Sequence, residues 1–119
     1  MAVYSKIILS GSVDGQPIAV TGIAPSTANT VHTAPAVTTS IDEIYLYAYN
    51  TATTNRELVL RWGTTATGQG IRHIQKTIPF QDGLYLVIPG LPLSNSNTVR
   101  AYATAADKLA LVGYVNRVS

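Results

Sequence analysis

Two histidines, His32 and His73, and six carboxylates, Asp14, Asp42, Glu43, Glu57, Asp82 and Asp107, are the side chains of this 119-residue sequence with types suited to acid, base or metal chemistry. Zinc needs three or four His, Cys or carboxylate ligands converging on one point, and no spacing here announces such a set. Paired acids for glycoside hydrolysis can come from distant strands. Yet Asp14-Gly15 and Asp82-Gly83 read as turn dipeptides, and the acids as a group fall mostly in turns or at strand starts. No loop offers the cluster of oxygen ligands that calcium requires. The serines lack a nucleophile elbow, and no Gly-Lys-Ser/Thr follows GTTATGQG to cradle a phosphate. His32 reads as a strand or loop histidine with a hydrogen-bond partner. The expectation is no enzymatic activity, no metal and no cofactor.

The elements that would position any site are β-strands. Charged residues make up 12% of the chain, Thr occurs fifteen times and Lys three, a balance that suits the solvent side of strands better than helices. Short β-rich runs separated by turn residues predict one all-β domain over residues 1–119, an antiparallel β-sandwich of about eight strands. The runs are YSKIIL (4–9), PIAVTGI (17–23), TVHTA (30–34), IDEIYLYAYN (41–50), ELVLRWG (57–63), IRHIQKTI (71–78), LYLVI (84–88), TVRAYA (98–103) and LALVGYVNRV (109–118). Residues 1–40 are polar and Thr-rich enough to supply an arm or long loops. TATTNR reads as a hairpin connection, Pro89 and Pro92 as a break after LYLVI, and ATAADKLALV as the one helical competitor, with the strand preferred.

Other partners are disfavoured by composition. The net charge of +2 is scattered, with no basic stripe for nucleic acid. No segment approaches the roughly twenty apolar residues of a membrane helix. The apolar run in MAVYSKIILSGS is too brief for a signal sequence, and with no cysteine the chain needs no particular redox compartment.

Tyrosine carries more information. Tyr45, Tyr47 and Tyr49 alternate with Ile44, Leu46 and Ala48, so the phenols share the face turned away from the core. Extending the alternation puts Leu58, Leu60 and Trp62 on the core side of ELVLRWG, and Leu84, Leu86 and Ile88 on that of LYLVI. Tyr85, Tyr102 and Tyr114 then join the outer set. Such rings can stabilise a sheet through cross-strand pairs, or lie under covering structure. Arg61 and Arg100, interleaved with them, favour a contact surface made of Tyr45, Tyr47, Tyr49, Arg61, Tyr85, Arg100 and Tyr102.

The succession TVHTA, IDEIYLYAYNT, ELVLRWG, QKTIPFQDGLYLVIPGLPLSNSNTVRAYA and LVGYVNRV resembles small virion structural proteins of tailed bacteriophages, over roughly residues 30 to 118. IPGLPLSNSNTVRAYA and GYVNRV are its most specific parts. The resemblance implies a capsid decoration (cement) protein: a β-sandwich or jelly roll, assembled as a homo-oligomer with a trimer favoured, bound to the major capsid protein. Its place would be the capsid surface of the virion, after synthesis in the host cytoplasm. It carries over no catalytic residue. The alternative is a tail-tip or fibre module that binds carbohydrate or a receptor through the same aromatic patch.

Overall fold

The computed structural model describes residues 3–63 and 73–119. The described residues form nine strands: β1 Tyr4–Ile7, β2 Ile18–Ala19, β3 Asn29–Thr33, β4 Ile41–Asn50, β5 Arg56–Trp62, β6 His73–Ile78, β7 Tyr85–Leu93, β8 Thr98–Ala103 and β9 Leu109–Val118. A single 3₁₀ turn, Pro25–Thr27, is the one helical element among the described residues. The first sheet has the order β1-β9-β4-β7 with β2 also on β9, and the second the order β3-β8-β5-β6. β1 pairs with the end of β9 at Val115–Val118 and β2 with its start at Ala110 and Leu111. The two thus occupy one strand position, interrupted by the SGSVDG loop. Eight antiparallel positions result, divided between two sheets in the jelly-roll arrangement, as expected for the fold.

The core forms where alternation points it. Ile44, Leu46 and Ala48 of β4 have no exposure, nor do Leu58 and Leu60 of β5, Val99 and Ala101 of β8, and Leu111 and Val115 of β9. Each fully buried Leu, Ile or Val stabilises the fold by about 1.5–3 kcal/mol. The first forty residues contribute as well: Leu9, Ile18, Val20 and Val31 belong to the same cluster. The runs expected over 4–9 and 17–23 are regular strand only at Tyr4–Ile7 and Ile18–Ala19. ATAADKLALV is not helical, and β9 begins at Leu109. The expected TTATGQG loop, residues 64–70, and the first two residues of IRHIQKTI lie outside the described residues.

Three expectations are corrected. TATTNR is no hairpin, because β4 and β5 lie in different sheets. Buried Asn50 makes the crossing: its Nδ2 donates to the carbonyls of Thr54 (3.0 Å) and Ile78 (2.8 Å), while its Oδ1 accepts from the Ala52 N–H (2.8 Å). Next, Leu84 and Leu86 do not face the core; they are 59% and 49% exposed, and Tyr85 and Val87 pack against the core instead. The β4–β7 register steps between Leu46↔Ile88 and Tyr47↔Leu86, leaving Val87 as an extra residue. A bulge of this kind exchanges the two faces of a strand. Finally, β7 runs through Pro89 and Pro92 to Leu93. It is an edge strand, where a missing N–H is tolerated, and a second step leaves Gly90 unpaired at φ +92°, a conformation suited to glycine.

Gly113 of β9 is held by its neighbours rather than by a turn. A Cβ there would lie 2.0 Å from the Tyr45 carbonyl oxygen, inside a ladder flanked on both sides. Gly113→Ala is expected to cost roughly 2–3 kcal/mol, read as a lower urea midpoint with an unchanged slope.

Candidate functional site

One ionic cluster ties the sheets together. Asp42, with no exposure, points inward from β4. Its Oδ1 accepts from Arg117 Nε at 2.8 Å, and its Oδ2 accepts from Arg117 Nη2 at 3.0 Å and from His32 Nε2 at 2.6 Å. Arg117 stands opposite Asp42 in the β4–β9 register, whereas His32 belongs to β3 in the second sheet. The remaining ring nitrogen of His32, Nδ1, accepts the Ser10 N–H at 3.0 Å, so the imidazole proton sits on Nε2. Ser10 Oγ in turn accepts the Thr33 N–H at 2.8 Å. Ser, His and Asp therefore meet here without catalytic geometry: the hydroxyl faces a backbone amide and neither imidazole nitrogen is free. His32 has the hydrogen-bond partner expected of it. Among the described residues, no three of His, Cys, Asp and Glu converge as metal ligands.

The outer face of the first sheet is a continuous aromatic and aliphatic surface. In the β4–β9 register Tyr45 lies opposite Tyr114, Tyr47 opposite Val112, Tyr49 opposite Ala110 and Ile41 opposite Val118. On β7, Pro89 faces Tyr45 and Leu86 faces Tyr47; on β1, Tyr4 faces Val118. The rings of Tyr45 and Tyr114 stack with centroids 4.8 Å apart and planes 14° off parallel. Lys6 Nζ sits 4.8 Å from the Tyr114 centroid, and the far side of Tyr45 closes on Gly90, where a Cβ would come within 2.8 Å of the ring. A column of Lys6, Tyr114, Tyr45 and Gly90 thus crosses four strands. Within the paired strands of this face the charges are Lys6 and Glu43, one on each side of Asn116.

The seven residues expected to form one surface are divided. Tyr45, Tyr47 and Tyr49 lie together on the outer face of the first sheet. Arg61, Arg100 and Tyr102 lie on the outer face of the second, on the opposite side of the sandwich. Tyr85 is on neither: the bulge turns it inward at the edge of the first sheet, opposite Ala48. There its hydroxyl donates to Asp82, which raises the phenol above its usual pKa, and Lys76 Nζ lies 5.9 Å from its ring. Tyr4 joins the aromatic face in its place. The alternation of Tyr4 and Lys6 with Ser5 and Ile7 carried that signal. β5 also departs from simple alternation, since Val59 and Arg61 are buried along with Leu58 and Leu60. No family model, curated protein or solved structure matches the chain.

Burial opposes ionisation of Asp42 and is the largest single influence on it. The hydrogen bonds from Arg117 and His32, with the guanidinium charge, together outweigh burial and hold the carboxyl below its ordinary value of 3.8. The stability this depressed group contributes is complete above that unfolded-chain value and lost as pH falls through the lower folded value. Asp42→Asn is expected to cost roughly 2–4 kcal/mol near neutral pH, moderated because Arg117 retains some contact with water. Urea midpoints taken from about pH 6 to pH 2 should fall less steeply for the variant than for the parent.

Proposed function

We propose that the chain is a structural protein of a tailed-phage virion, a capsid decoration protein that associates with copies of itself and seats on the outer shell. One observation carries the reading: an entire outer sheet face in which five tyrosines, Tyr4, Tyr45, Tyr47, Tyr49 and Tyr114, stand among Ile41, Leu86, Val112 and Val118. Tyr4, Ile41 and Leu86 are 73%, 42% and 49% exposed. Tyrosine suits such a face, because its ring gives apolar area and its hydroxyl can be satisfied by water or by a docked partner. Contiguous exposed apolar surface of this kind marks interaction sites.

The resemblance over residues 30 to 118 supplies the setting. A shell-stabilising protein acts by burying surface repeatedly at symmetry axes, where modest contacts add through avidity. A trimer is the favoured assembly. Glycan binding by the same aromatic face is the competing outcome, since flat rings also stack on sugars.

Light scattering behind size-exclusion chromatography tests self-association. The parent should elute as an oligomer, and Tyr47→Ala combined with Leu86→Ser should shift it to monomer while the fold, read by far-ultraviolet circular dichroism, is kept. A parent that is monomeric across a hundredfold concentration range, diluted from about 1 mM, and that fails to co-sediment with capsids would overturn the proposal. Retention on a glycan array together with those results would favour the receptor-binding alternative.

A further inference from the structure

The outer face of the second sheet carries positive charge that no ion pair among the described residues neutralises. Arg61 of β5 lies directly opposite Arg100 of β8 on one side and His73 of β6 on the other, and Thr30 of β3 lies opposite Arg100. The row reads Thr30, Arg100, Arg61, His73 across four strands. Like charges directly opposite one another on a sheet repel. Arg61 is only 8% exposed, and its Nε is buried with no hydrogen-bond partner; His73 Nε2 is in the same condition. A buried guanidinium is ordinarily paired.

No carboxylate of the chain meets this need. Asp42 is taken by Arg117 and His32. Glu43 lies on the opposite side of the sandwich, and Glu57 is four residues from Arg61 along β5, in register with Thr77. Asp14 and Asp107 sit at left-handed backbone positions in turns, and Asp82 accepts from Tyr85. Residues 1–2 and 64–72 contain neither Asp nor Glu. Among the described residues, no carboxylate is placed to pair with this row.

We propose that the Arg61–Arg100 row is an oxyanion site, taking a carboxylate or phosphate group. Two guanidinium groups side by side present the planar donor forks that bind such groups in pairs of hydrogen bonds. His73 Nε2 and the Thr30 hydroxyl extend the donor set at the two ends of the row. Tyr102, one row along β8, sets its ring edge-on to His73 with centroids 6.2 Å apart, giving the site an aromatic wall. Arg100 is exposed and forms the mouth, Arg61 the floor. The site lies on the face opposite the tyrosines, so it can stand or fail independently of the assembly role.

The test titrates the full chain with inorganic phosphate and, separately, with succinate, chloride holding the ionic strength constant. Thermal unfolding and amide chemical shifts are followed. At least one anion should raise the unfolding midpoint in a saturable way, with shifts concentrated at Thr30, Arg61, His73, Arg100 and Tyr102. Arg100→Gln, at an exposed position, should weaken that affinity roughly tenfold or more. Arg61→Met should abolish the response; if that variant does not fold, Arg100→Gln decides alone. A response to phosphate only or to succinate only identifies the group, and a response to both marks a general oxyanion site. No response to either anion, or an Arg100→Gln variant with parental affinity, overturns the proposal.

Discussion

A carboxylate with no access to water lies between the two sheets, and their relative placement is built around it. Asp42 takes two hydrogen bonds from Arg117 within its own sheet and one from His32 in the other, and His32 is in turn fixed by the Ser10 amide. A buried charge is tolerable only when its hydrogen-bonding capacity is filled. Each donor must therefore arrive in its correct register, and a one-residue slip of β3 or β9 would leave the charge unsatisfied. At the far end of β4, Asn50 plays a neutral version of this part, binding the carbonyls of Thr54 and Ile78. Between these polar ends lie Ile44, Leu46 and Ala48. β4 is thus an apolar strand pinned at both ends, about 27 Å apart, and strand order follows from the pins as much as from apolar burial.

Fixing the sheets in this way leaves two unlike outer surfaces. One is aromatic and aliphatic, its stacked tyrosines capped by Lys6 at one end and Gly90 at the other. The other is polar, with its basic row centred on Arg61. The alternation that buries Leu46 on one side of β4 is what presents Tyr45 and Tyr47 on the other, so core and aromatic outer face are two products of one pattern. A sandwich of this design has one side suited to apolar contact and another suited to charge.

Much of this was legible in the sequence wherever alternation was unbroken. IDEIYLYAYN, TVRAYA and LALVGYVNRV coincide with β4, β8 and β9. LYLVI misled because Val87 bulges, and a bulge is a matter of pairing with β4, which local composition does not encode. The prolines misled because their tolerance depends on β7 being an edge. Assigning Arg61 and Tyr102 to the face opposite the tyrosines required strand order, which periodicity does not supply. The Asp42 cluster was hidden for a related reason: His32 and Arg117 lie 10 and 75 residues from Asp42, and nothing in their immediate neighbours marks them as partners.

Pro89 and Pro92 have a consequence beyond their local geometry. Sheets with a free, regular edge can recruit strand after strand from other molecules, an open-ended growth that leads to fibres. Along β7 two amide donors are missing and the chain bulges at Gly90 and again at Val87, so a docking strand would find no even ladder to copy. Any contact made by this sheet is thereby disfavoured at the edge and left to the face, the kind of surface through which symmetric assemblies close at a finite number of subunits.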